Sequence, residues 1–154
     1  MSRDVIVIGI GNEYRRDDGV GHAVAAEIAA RELPGVRVVT TLGEPTAILE
    51  AWSGATLAVL VDAAVSTEST PGRVRRCTIG DLTCQAGLSS HALDITQTFA
   101  LGQALGIVPD RLVIFTVEAA DTGHGIGLTA DVAAAVGDVV AGVLAELATR
   151  VEPR

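Results

Sequence analysis

Residues 5–8 read VIVI, 57–61 read LAVLV and 112–117 read LVIFTV. Nearly every position in these runs is apolar. A strand with one wet face alternates apolar and polar residues, whereas a strand buried on both faces does not. The chain must therefore cover both faces of a sheet, and the segments between the runs supply the cover. Residues 19–33, 93–105 and 129–149 carry helical patterns, and 45–52 a shorter one. A second strand is expected at 36–41 (VRVVTT) and a fourth, more polar one at 73–79, after the turn signal Thr70-Pro71-Gly72. Strands alternating with helices predict one α/β domain over 1–154, with helices on both faces of a mostly parallel sheet.

One connection breaks the alternation. About nine residues join the third and fourth strands, fewer than the dozen or more that a parallel crossover needs. The fourth strand is therefore expected to be antiparallel. Its Arg73, Arg75 and Arg76 suit a sheet edge, where charge discourages pairing with other chains. The fifth strand is then parallel to the first and third, so the helix feeding it must start at the edge where those strands end. His91 opens that helix, and residues 80–90 would carry the chain across to it.

Composition narrows the classes. Hydrophobic residues make up 49% and charged residues 19%, which excludes a disordered chain, and aromatics at 3% leave the core to Ala, Val, Leu and Ile. A net charge of −8 argues against a nucleic-acid surface, because affinity there comes from neutralising phosphates. Cys77 and Cys84 have neither metal-type spacing nor enough partners for a disulfide framework. Without a signal-peptide pattern or an apolar run near 18 residues, the chain reads as cytoplasmic and not membrane-bound.

Three residues distant in sequence converge on this topology. Asp18 follows the first strand in GIGNEYRRDDGVG (9–21), Asp62 ends the third, and His91 begins the helix before the fifth. Ligands of open α/β sheets bind outside the carboxyl ends of the strands. Two carboxylates and an imidazole suit a divalent transition ion and leave coordination positions open. Each residue also has a plainer reading. Asp17 and Asp18 could favour the N-terminus of the helix that follows, Asp62 could form a turn, and His91 could neighbour a cap beside Ser89 and Ser90.

Other motifs are weaker. The dinucleotide fingerprint fails because Tyr14 stands where its third glycine should be, and the acid pair would repel a pyrophosphate. There is no phosphate-binding Lys loop and no Gly-x-Ser-x-Gly elbow. Gly9 and Gly11 allow a tight turn that brings the loop backbone close to a ligand. His22 reads as a packing or surface residue. His124, in TGHGIGLT, lies on a Gly-rich loop at the same edge and is a candidate for the site wall.

Four blocks, GIGNEYRRDDGVG, VDAAVS (61–66), SSHALD (89–94) and GIGLTADV (125–132), resemble the nickel–iron hydrogenase maturation proteases in order and separation. The resemblance implies a three-layer α/β/α sandwich, five-stranded with one antiparallel strand. It implies an endopeptidase, a hydrolase of the aspartic type and an enzyme activator, which removes the C-terminal extension of a hydrogenase large-subunit precursor after nickel insertion. Asp18, Asp62 and His91 match the family's nickel positions, Asp18 being preferred over Asp17 as the second acid of the pair. Gly9, Gly11, Asn12, Asp17 and Gly19 would form the substrate-binding loop. Nickel would arrive with the precursor, held by its thiolates, and none would be bound tightly in isolation. No residue is identified as a nucleophile. A monomer is favoured. The alternatives are a non-catalytic nickel chaperone and a nucleotide-binding module.

Overall fold

A computed structural model describes residues 4–65, 70–80 and 90–149, except for the side chains of 90–94. Five strands form one sheet: β1 (Val5–Ile10), β2 (Val36–Thr41), β3 (Leu57–Ala64), β4 (Val74–Thr78) and β5 (Arg111–Glu118). Their order is β2-β1-β3-β5-β4. β1 pairs parallel with β2 and β3, and β3 pairs parallel with β5. β4 runs antiparallel to β5, with Val74 opposite Val117 and Thr78 opposite Val113. The short connection thus has the predicted effect, and the Arg-bearing strand lies at an edge.

Four helices flank this sheet among the described residues: α1 (Val20–Ala30), α2 (Pro45–Trp52), α3 (Ser90–Leu105) and α4 (Ala130–Ala148). The period-two geometry of a strand sends alternate side chains to opposite faces. Val5 and Val7 of β1 accordingly join Val20, Val24 and Ile28 of α1 and the valines of α4 in one core. Ile6, Ile8 and Ile10 join Ile48, Leu49 and Trp52 of α2 and Ile95 of α3 in the other. All six β1 residues are buried, which is why the run in the sequence shows no alternation. The result is the three-layer α/β/α sandwich.

Boundaries moved by a few residues. β1 extends two residues beyond VIVI, through Gly9 and Ile10, because Ile10 still pairs with Thr41. β3 continues to Ala64, so Asp62 lies inside the strand opposite Thr116 instead of ending it. The first helix divides: a 3-10 turn over Arg16–Gly19 precedes α1. Cys77 is buried in the sheet's second core, as expected of a small core residue. Cys84 and most of 80–90 lie outside the described residues. No helix among those described is long and apolar enough to cross a membrane.

Candidate functional site

The loop leaving β1 is shaped by two tight approaches. Gly11 has φ +137°, and a Cβ there would collide with the backbone oxygen of Asp18. Only glycine tolerates both conditions. Its N–H donates to the Thr41 carbonyl at 2.9 Å, tying the loop to the end of β2. Gly9 sits within β1, where a Cβ would strike the Gly21 carbonyl oxygen, so the start of α1 rests directly on the strand. Gly21 itself lies against the backbone of Ile10 and Val61. The 3-10 turn carrying the acid pair therefore sits over the carboxyl ends of β1 and β3.

The two acids of that turn do different things. Asp17 is fully buried. Its Oδ2 accepts N–H bonds from Ala120 at 2.8 Å and Asp121 at 3.0 Å. Its Oδ1 accepts the Thr129 N–H at 2.7 Å, and the Thr129 hydroxyl lies 2.8 and 3.0 Å from the two oxygens. Burial pushes the carboxyl pKa up, but the N–H groups of Thr129, Ala120 and Asp121 outweigh it and hold the group below its ordinary range. Charge-assisted bonds of this kind favour the ionised form. Thr129 precedes the first residue of α4 and makes no side-chain cap bond to that helix. Asp17 thus serves a helix N-terminus, though that of the last helix and not the following one.

Asp18 is half-buried, and its Oδ2 accepts the Asn12 N–H at 2.9 Å. A 3-10 turn has about three residues per turn, so neighbouring side chains project roughly 120° apart. With Asp17 turned inward, Asp18 points elsewhere. Asp62 is 2% exposed, and its Oδ1 accepts the Ala63 N–H at 2.8 Å. A carboxylate so enclosed needs donors or a cation close by. The 3-10 turn packs against β3, which brings the backbones bearing Asp18 and Asp62 to one sheet edge. His91 is the second residue of α3, whose N-terminus faces the same edge because α3 feeds β5, parallel to β3. The His91 side chain lies outside the described residues. Among those described, no group of three or more His, Cys, Asp or Glu side chains could hold a metal ion.

A second loop, residues 119–129, lies alongside the first. Arg15 and Gly125 form an isolated parallel bridge. The Arg16 N–H donates to the Gly125 carbonyl, and the Gly125 N–H to the Tyr14 carbonyl, each at 2.9 Å. Arg15 Nε reaches the Thr122 carbonyl and Arg16 Nε the His124 carbonyl. His124 is exposed on this loop. Tyr14 and Ile126, beside the bridge, are 62% and 80% exposed.

The residues expected in the substrate-binding loop differ in burial. Gly9, Gly11, Asp17 and Gly19 are buried, and Asn12 is half-exposed. Asp17, expected in the substrate-binding loop, is an internal tie whose carboxylate bonds to the second loop. Gly9 is corrected from loop to strand, because its bare Cα lets α1 approach. His22 is half-buried, with Nδ1 3.6 Å from Glu13 Oε1, a packing position as expected. Sequence reasoning missed Thr129. A Thr opening a helical pattern is a readable cap signal, but its partner Asp17 stands 112 residues away and leaves no local signature.

Comparison with known proteins adds identity. The model of the family described as "HycI: Hydrogenase maturation protease" matches residues 25–146, which contain Asp62 and His91 but not the acid pair. A search of curated proteins found no significant match. Among solved structures, the hydrogenase maturating endopeptidase HybD from Escherichia coli superposes with TM-score 0.80 at 21% identity, covering 96% of this chain and 94% of that one. A second endopeptidase from Escherichia coli gives 0.81 at 23%, with the same coverage. The [NiFe] hydrogenase maturation protease HybD from Thermococcus kodakarensis gives 0.71 at 21%, covering 94% and 98%. Identities this low carry the fold, and the family match, which spans most of the chain, carries the class. With its sheet, its glycine-shaped edge and that match, the chain belongs to the hydrogenase maturation proteases, enzymes that hydrolyse peptide bonds.

Proposed function

We propose that the chain removes the C-terminal extension of a nickel-loaded hydrogenase large-subunit precursor, and that Asp18, Asp62 and His91 contact the substrate's nickel. The observation that carries this reading is the common edge. Within a hydrogenase maturation protease, the 3-10 turn bearing Asp18 packs against β3, which bears Asp62. The helix α3 feeds the parallel β5, which supports a start for α3 at the same edge. A divalent ion held by precursor thiolates keeps open positions that such oxygen and nitrogen donors fill. Binding through the metal lets the enzyme distinguish loaded from empty precursor, and it fixes the scissile peptide near the site. Orientation of that kind contributes roughly 7–11 kcal/mol in favourable cases. The exposed Tyr14 and Ile126 beside the edge offer apolar surface to a protein-sized substrate.

The test is precursor mass after incubation with the enzyme. Loss of a C-terminal peptide from nickel-loaded precursor alone is the expected result, and equal cleavage of empty precursor overturns nickel recognition. Asp18→Asn, Asp62→Asn and His91→Ala should each abolish processing while circular dichroism stays unchanged. Full activity in the triple variant removes the site assignment.

A further inference from the structure

A buried carboxylate is costly unless donors surround it. Asp17 has them, and all come from one segment: the N–H groups of Ala120, Asp121 and Thr129 and the Thr129 hydroxyl. Its own N–H donates back to the Asp121 carbonyl at 3.0 Å. The two loops also meet through Tyr14, Arg15 and Arg16, but those residues are exposed, and the Arg16–Asp121 ion pair at 3.4 Å is close to half-exposed on both sides. Exposed pairs of that type contribute little. Asp17 is thus the one carboxylate anchoring these loops from within, among the described residues. It shares a single 3-10 turn with Asp18, so whatever fixes the rotation of one fixes the direction of the other.

We propose that Asp17 is a positioning residue for precursor processing: by clamping the 3-10 turn to loop 119–129 it sets where the Asp18 carboxylate points, without touching substrate. The proposal rests on the reading of Asp18 as a substrate contact, and its test is built to fail separately from that reading. The first readout is amide hydrogen exchange in the free enzyme. In Asp17→Ala and Asp17→Asn, protection of the Ala120, Asp121 and Thr129 amides should fall at least about tenfold, as expected when a local tie opens without global unfolding. Protection of the Asn12 amide, which reports the Asp18 contact, should fall with them. Asn is expected to fail like Ala, because its NH2 group would face N–H donors. Thr129→Val removes only the hydroxyl and should act in the same direction more weakly, which provides a second variant should the Asp17 changes prevent folding.

The second readout is cleavage of nickel-loaded precursor at a temperature where every variant is folded. Asp17→Asn should lower kcat/KM on the order of a hundredfold, the scale of a small misplacement of reacting groups. Val139→Ala, a core change on α4 remote from the edge, should lower Tm yet leave kcat/KM of the folded enzyme unchanged. Wild-type Asn12 protection in the Asp17 variants overturns the proposal, as does lost protection with undiminished kcat/KM. A wild-type enzyme that leaves the loaded precursor uncut sinks the proposed function alone, and the exchange result still decides whether Asp17 directs Asp18.

Discussion

The two faces of the sheet are filled in different proportions of close backbone approach and bulk. On the α1/α4 face, packing is achieved by leaving atoms out. Gly9 meets Gly21, Gly21 lies against Ile10 and Val61, and Gly142 of α4 lies against the Phe115 ring. On the α2/α3 face, Gly102 of α3 also lies close against Leu49 and the Ile107 carbonyl, but most of the space is filled by bulk. Trp52 is fully buried, its ring edge-on to Phe99 with centroids 6.3 Å apart, and its Nε1 donates to the Ile107 carbonyl at 3.0 Å. The acid-pair turn of the candidate site belongs to the first face, whereas Asp62, which alternates with Ala58 and Leu60 along β3, and α3, which carries His91, belong to the second. Close backbone approach places the start of α1 over β1 and β3, and the Asp17 tie adds a polar lock at the same end. The lesson is that damage to the first face should reach Asp18, and damage to the second should not.

The largest expected effect is on the bulky face. Trp52→Ala should cost about 3–5 kcal/mol in chemical denaturation, from lost transfer energy and the cavity left behind. Exchange at the Asn12 amide should nevertheless stay native while the protein remains folded. A cost below roughly 1 kcal/mol would mean the site collapses easily and would break the contrast. Next comes Gly9→Ala, which adds one methyl where the Gly21 carbonyl already sits. Overpacking of this kind costs typically about 1–3 kcal/mol, and here Asn12 protection should fall as α1 is pushed outward. A neutral Gly9→Ala would show that the helix has room to spare.

The smallest effect sharpens the comparison at the rim of α4. Glu146 pairs with Arg76 of β4 and Arg111 of β5. The Arg76 hydrogen bond, opposed by burial and helped by both positive charges, holds its carboxyl below the ordinary value of 4.5. A folded-state pKa below the unfolded one gives stability that is present above pH 4.5 and lost as pH falls through the lowered value. Both arginines are about half-exposed, so the worth is that of a surface pair, about 0.2–1 kcal/mol. Wild type should therefore melt slightly above Glu146→Gln at neutral pH, with the gap closing in acid. A gap that widens in acid would reverse the sign.

Much of the architecture was legible along the chain. Unbroken apolar runs required cover on both faces, and the short link from β3 to β4 required an antiparallel edge strand. Both follow from local geometry, in which a strand's period and a connection's reach are written in consecutive residues. The meeting of the Asp18 and Asp62 segments at one edge was also legible, because parallel strands with helical crossovers put all their carboxyl ends on the same side. The motif order in four blocks pointed to the family that the later comparison established.

What tertiary structure alone decided is which member of the acid pair is buried and bonded to a distant loop. By sequence, Asp17 and Asp18 are two adjacent acids before a helix. Their difference arises because a tight turn splays them and because the amides of Ala120, Asp121 and Thr129, supplied by a loop more than 100 residues away, close around only the first. Likewise, Gly9 read as a turn former until α1 was laid upon it. Hydrophobic period and connection length are properties of neighbouring residues and survive in the linear order. A hydrogen-bond donor or a steric contact brought from a distant segment exists only once the chain has folded.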